Sequence, residues 1–106
     1  MAEKAQIIEI VYEVVDEINQ LLEGEKLKKA FETTLFGESG RLDSLELINF
    51  IVATEELIEK RLGIGLTISE GLAKEFENSG ENHPFRTLGS IIDYVYQHVM
   101  LEVNNE

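Results

Sequence analysis

Residues 7–22 read Ile7-Ile8-Glu9-Ile10-Val11-Tyr12-Glu13-Val14-Val15-Asp16-Glu17-Ile18-Asn19-Gln20-Leu21-Leu22, and whether this stretch is strand or helix decides the fold class. The β-branched run over 7–15 has the composition of a strand. Strict alternation fails, because Ile7 and Ile8 are adjacent, as are Ile10 and Val11, and Val14 and Val15. Ile7, Ile8, Val11, Val14, Val15, Ile18, Leu21 and Leu22 recur instead at the spacing of one helix face. The pattern also outlasts most strands. It predicts a helix over about 4–23, with Gly24 as a C-terminal stop.

Beyond that helix, residues 25–42 read as a long connection with some local helix. Lys26, Lys28 and Lys29 form its basic cluster, and Ala30, Phe31, Leu35 and Phe36 its apolar anchors. Gly37 and Gly40 flank a loop that ends at Arg41-Leu42-Asp43; loops this long are often functional. Asp43-Ser44-Leu45-Glu46 then opens a helix over 43–62, with Asp43 as N-cap and Glu46 at N3 of a capping box. Leu47, Ile48, Ile51, Ile58 and Leu62 form its apolar face, and Gly63 stops it.

Thr67-Ile68-Ser69-Glu70 offers another capping box, which predicts a short helix over 69–76 with few apolar residues to bury. Residues 77–84, with Asn78-Ser79-Gly80, form a loop by composition. Thr87 caps a last helix over 87–103 whose apolar positions are Leu88, Ile91, Ile92, Val95, Val99 and Val103. The expectation is a single all-α domain over 1–106: a four-helix bundle with one helix short, and with long first and last-but-one loops.

The chain has 106 residues, 21 acidic against 9 basic, and a formal charge of −12. Phosphate contacts need clustered Lys and Arg, so this charge argues against nucleic acid and anionic lipid and favours basic protein partners. The charge is spread along the chain: residues 41–66 hold 5 acids and 3 bases, fewer acids than the segments on either side. There is no cysteine, hence no disulfide, no thiolate of the chain's own and no Cys-based metal site. Met1-Ala2-Glu3 leads straight into the amphipathic pattern, so no signal peptide is expected. The most apolar run, 47–53, is interrupted by Asn49 and is too short to span a bilayer. A cytoplasmic monomer without membrane insertion is the expected form.

Conventional catalytic patterns are missing from the sequence. His83 and His98 lack partners at metal-ligand spacing and read as solvated side chains. Glu55 and Glu56 are adjacent on a helix, diverge by about 100° and cannot converge as an acid/base pair. No Gly-rich nucleotide loop or nucleophile elbow occurs. Ser44 is the residue that stands out. It follows a glycine-flanked loop and opens a helix, where unsatisfied N–H groups and the helix dipole favour an anion by about 0.3–1 kcal/mol. Asp43 and Glu46 compete for that same positive end, so these residues permit a phosphoester on Ser44 without requiring one.

The wider pattern Leu42-Asp43-Ser44-Leu45-Glu46-Leu47-Ile48, continuing through Ala53-Thr54-Glu55-Glu56 to Leu62-Gly63-Ile64, resembles the acyl carrier protein family. Thr87-Leu88-Gly89-Ser90-Ile91-Ile92-Asp93-Tyr94-Val95 looks like the start of that family's last helix, and the resemblance covers nearly the whole chain. It implies a non-catalytic carrier with a covalent 4′-phosphopantetheine arm, derived from coenzyme A, on Ser44 between Asp43 and Leu45. A separate phosphopantetheinyl transferase would attach the arm, and acyl groups would ride on it as thioesters to fatty-acid, lipid or polyketide-type enzymes. Acyl-transfer, ligase or synthase partners with basic surfaces would dock on Leu45, Glu46, Asn49, Val52, Ala53, Glu55 and Glu56. Cargo would lie between the apolar faces of the second and last helices.

The sequence also departs from the family. The second helix gains about a turn through Glu59-Lys60-Arg61, and residues 64–86 form a longer segment than usual. Asn49 stands at a commonly acidic docking position, and Thr54 at a commonly apolar one. These departures favour a specialised carrier. An unmodified acidic helical adaptor for a basic protein surface fits the bare features of charge and amphipathic helices as well.

Overall fold

A computed structural model describes residues 3–22, 24, 26–35, 42–67 and 86–104. The described helices are α1 (Lys4–Leu21), α2 (Ser44–Leu62) and α3 (Leu88–Asn104), and α1 packs against both of the others. The described part of the chain is thus all-α, without a strand beyond one isolated bridge between Thr34 and Thr87. The short helix expected over 69–76 and the loop expected over 77–84 lie outside the described residues.

The stretch that decides the fold is a helix. Ile7, Ile10, Val11, Val14 and Val15 are buried on α1, the i, i+3, i+4, i+7, i+8 pattern of a core-facing stripe. Ile10 joins this stripe although the expected face omitted it, whereas Leu21, assigned to that face, is 79% exposed. The helix ends earlier than expected, at Leu21, because Leu22 turns into an extended conformation and is buried. Gly24 does adopt a positive φ of 79°, just beyond that turn.

Asn19 fixes the chain after α1. Its side-chain amide donates to the Leu27 carbonyl at 2.9 Å and its carbonyl accepts from the Leu27 N–H at 2.8 Å. Leu27 is thereby held against the core and is itself buried. Lys26 adds a hydrogen bond from its ammonium to the Leu22 carbonyl. The described residues of the first connection contain no α-helix: a turn from Ala30 to Thr33 leads into the extended pairing at Thr34.

On α2 the buried side chains are Leu47, Phe50, Ile51, Thr54 and Ile58, whereas Ile48 and Leu62 are partly buried at the margin. Phe50, absent from the expected face, is fully buried. On α3 Leu88, Ile91, Ile92, Val95 and Val99 are fully buried, and Val103 is partly buried. Gly63 ends α2 in the left-handed conformation at φ 68°, with its N–H donating to the Glu59 carbonyl at 3.0 Å.

Three ion pairs recorded among the described residues join α1 to its surroundings: Lys4 to Asp93 on α3, Arg61 on α2 to Glu13, and Lys29 to Asp16. All are substantially exposed and follow the packing rather than cause it, since such pairs contribute about 0–1 kcal/mol each. The packing itself yields a prediction. Truncating Phe50→Ala should lower the unfolding free energy in urea by roughly 3–5 kcal/mol. A loss near zero at an unchanged denaturant slope would contradict the burial described.

Candidate functional site

The start of α2 is built by a reciprocal cap. Asp43 accepts from the Glu46 N–H at 2.7 Å, and the Glu46 carboxylate accepts from the Asp43 N–H at 3.0 Å. Asp43 has an extended backbone, and its carbonyl takes the first intrahelical bond, from the Leu47 N–H at 2.9 Å. The capping box read from Asp43-Ser44-Leu45-Glu46 is therefore formed, and Ser44 is the first helical residue. Asp43 is exposed and Leu45 is 66% exposed, so the residues flanking Ser44 are open to solvent.

The start of α3 is closed by comparison. Its Leu88 N–H donates to the Thr33 carbonyl at 2.9 Å, and its Gly89 N–H donates to the Phe31 carbonyl at 2.8 Å. The Ser90 N–H donates to Thr87 Oγ1 at 3.1 Å, and the Thr87 N–H donates to Ser90 Oγ at 3.0 Å. Chain from the first connection thus covers the N–H groups that a helix start leaves unpaired. At the start of α2, the Asp43 and Glu46 N–H groups are met by the two side chains of the cap itself.

The expected docking residues divide along α2. Leu45, Asn49 and Glu56 are exposed, at the i, i+4, i+11 spacing of a single outward face. Glu46, Val52, Ala53 and Glu55 are partly buried, and Ala53 packs against the core. Lys60 and Arg61 close the far end of the helix, where Arg61 is committed to Glu13. Thr54 faces the core and is fully buried, with its hydroxyl donating to the Phe50 carbonyl at 2.9 Å. The polar atom that departs from an apolar pattern is thus satisfied within its own helix.

Elsewhere, His98 is partly buried rather than solvated. Its ring lies 4.3 Å from that of Tyr94, and its Nδ1–H donates to the Tyr94 carbonyl at 2.9 Å. His83 lies outside the described residues. No group of three or more His, Asp or Glu able to hold a metal occurs among the described residues. No described helix is long and apolar enough to cross a membrane.

One residue of the α2–α3 end escaped the sequence reading. A Cβ on Gly89 would lie 2.9 Å from the Phe31 carbonyl oxygen and 3.1 Å from Phe31 Cβ, so only glycine permits this approach. The available signal was a glycine inside the first turn of a helix, where its conformational freedom costs about 0.5–1 kcal/mol relative to Ala.

The cap at α2 gives a direct test. Asp43→Ala should reduce stability by about 0.5–2 kcal/mol in urea unfolding, while Asp43→Asn, which keeps an acceptor oxygen, should lose less. Equal losses for both would show that the cap oxygen contributes little. Thr54→Val should stay within about 1 kcal/mol of wild type, because it removes a donor whose acceptor keeps its helix bond; a loss above about 2 kcal/mol would contradict that reading.

No family model, no curated protein and no solved structure matches this chain.

Proposed function

We propose that this chain is a carrier of the acyl carrier type, a cytoplasmic monomeric four-helix bundle, modified on Ser44 with 4′-phosphopantetheine and without catalytic chemistry of its own. The observation that carries this reading is the start of α2, which is capped and which no other described residue covers. Ser44 opens the helix, its neighbours Asp43 and Leu45 are exposed, and no described residue closes that end as Thr33 and Phe31 close α3. The ordered resemblance from Leu42 to Ile64 and again from Thr87 to Val95 supports the same position.

The residues present fit such a group. A phosphoester on the first residue of a helix meets the positive end of the helix dipole. Asp43 and Glu46 neutralise part of that end, but their recorded bonds are to each other's backbone N–H groups, so their side chains are committed to the cap. Attached there, the group supplies a terminal thiol that holds acyl chains as thioesters.

The chain's own residues present and recognise. Asp43 and Glu46 hold the first turn in shape for the transferase. Leu45 offers an apolar contact beside the attachment point, and Glu56, farther along the same outward face, offers an acid to a basic partner. Acyl-transfer, ligase or synthase enzymes with basic surfaces are the partners this face suits, and the apolar faces of α2 and α3 are the ones between which cargo would shelter.

Intact-mass spectrometry tests the reading after incubating the protein with coenzyme A and a broad-specificity phosphopantetheinyl transferase. Wild type should gain the mass of one phosphopantetheine, and Ser44→Ala none. An unmodified wild type would overturn the carrier reading in favour of an unmodified acidic adaptor. Equal modification of the variant would move the attachment site.

A further inference from the structure

The start of α2 and the start of α3 are linked through a single residue of the first connection. Leu35 donates its N–H to the Arg86 carbonyl at 2.7 Å, and its own carbonyl accepts from the Leu42 N–H at 2.9 Å. Leu42 immediately precedes the Asp43 cap, so this path runs from the residue before Thr87 to the residue before Asp43. The side chains along it are anchored: Leu35 and Leu88 are fully buried, and Leu42 is 4% exposed.

The pairing around Leu35 is a short antiparallel clamp. Thr34 lies opposite Thr87, flanked by the bonds from Leu35 N–H to Arg86 and from Leu88 N–H to Thr33. The bond from Gly89 N–H to Phe31 extends it into the first turn of α3. Leu35 and Leu88, two of its three donor residues, are fully buried, and a buried donor that loses its partner is costly. Gly89 is its tightest point, because any side chain there must displace the Phe31 backbone.

We propose that this clamp positions Ser44: Leu35 and Gly89 are positioning residues through which the start of α3 holds the first turn of α2 in the form a modifying enzyme reads. The inference rests on the carrier reading for what happens at Ser44, but the mechanical coupling stands on the hydrogen bonds themselves. Loosening the clamp lowers the fraction of molecules with a correctly presented first turn. A partner that binds only that fraction shows weaker apparent affinity while its bound complex reacts as before.

The test compares Gly89→Ala and the milder Leu35→Val with Gly63→Ala. In Gly63→Ala, strain arises at φ 68° at the opposite end of α2, and the added Cβ meets nothing within 4 Å. The first readout is amide hydrogen exchange at Glu46 and Leu47, whose N–H groups are bonded to Asp43. The second is KM and kcat for phosphopantetheine transfer from coenzyme A onto the protein. In the clamp variants exchange at Glu46 and Leu47 should quicken roughly tenfold and KM should rise roughly tenfold, with kcat within about twofold. Gly63→Ala should move neither quantity at comparable thermal stability.

Clamp variants that lose stability yet keep the exchange and KM of Gly63→Ala would overturn the proposal and leave the clamp a merely structural feature. Failure of wild type to accept the group would sink the carrier reading alone, since hydrogen exchange still decides the coupling. Should Gly89→Ala not fold, Leu35→Val carries both readouts.

Discussion

Burial of the apolar stripe on α1 is the constraint on which the described fold depends. Ile7, Ile10, Val11, Val14 and Val15 are all β-branched, and such residues lose side-chain freedom in a helix. In isolation this sequence would be a poor helix, and its local preference leans toward strand. It is helical because α2 and α3 pack against it. Each side chain buried this way contributes about 1.5–3 kcal/mol, which outweighs propensity differences of a few tenths per residue. The helix is therefore a product of tertiary contact, and elements that lean on it inherit their placement from that burial.

What the stripe does not determine is how the helix starts are finished. α1 buries the flanks of both its neighbours, yet carbonyls of Phe31 and Thr33 meet the first turn of α3, whereas among the described residues the first turn of α2 has its own cap. The backbone of 31–33 supplies carbonyls to Leu88 and Gly89, and among the described residues it supplies none to the first turn of α2. An Asp–Glu capping box suits that exposed setting. Both carboxylates stay partly solvated while satisfying N–H groups that would otherwise need water or a ligand.

Much of this was legible locally. The caps at Asp43 and Thr87, the stop at Gly63 and the face of α3 all depend on residues within about one or two helix turns, so sequence spacing was sufficient to read them, as it was for the helical period of α1. Ile10 and Phe50 were misjudged because the width of a buried face depends on how many neighbours cover it. Leu21 was misjudged because a periodic pattern does not say where the chain leaves the helix. The pairing of Thr34 with Thr87 joins residues far apart in sequence, and nothing in either segment's composition marks the partner. Gly89 alone carried a hint, as a residue that helices ordinarily disfavour. Beside Ser44 the Asp43–Glu46 cap was legible, whereas the hydrogen bonds that join Leu35 to Arg86 and to Leu42 were not.

The charge of −12 takes on a more specific meaning once the ion pairs are in view. Glu13, Asp16 and Asp93 are already engaged by Arg61, Lys29 and Lys4, so part of the acidic surface serves the seams around α1. Arg61 is drawn toward Glu13 at the far end of α2, which leaves the outward face near Ser44 governed by Leu45, Asn49 and Glu56. That face is only sparsely acidic. On the carrier reading, a basic partner would be attracted by the field of the whole chain, which would raise its encounter rate, but a single exposed leucine and an amide beside Ser44 would offer little charge to hold it. Affinity at that face would then come from apolar contact and from shape. Shape there is that of the first turn of α2, so under the proposed coupling recognition would depend on the hydrogen bond that ties Leu42 to Leu35.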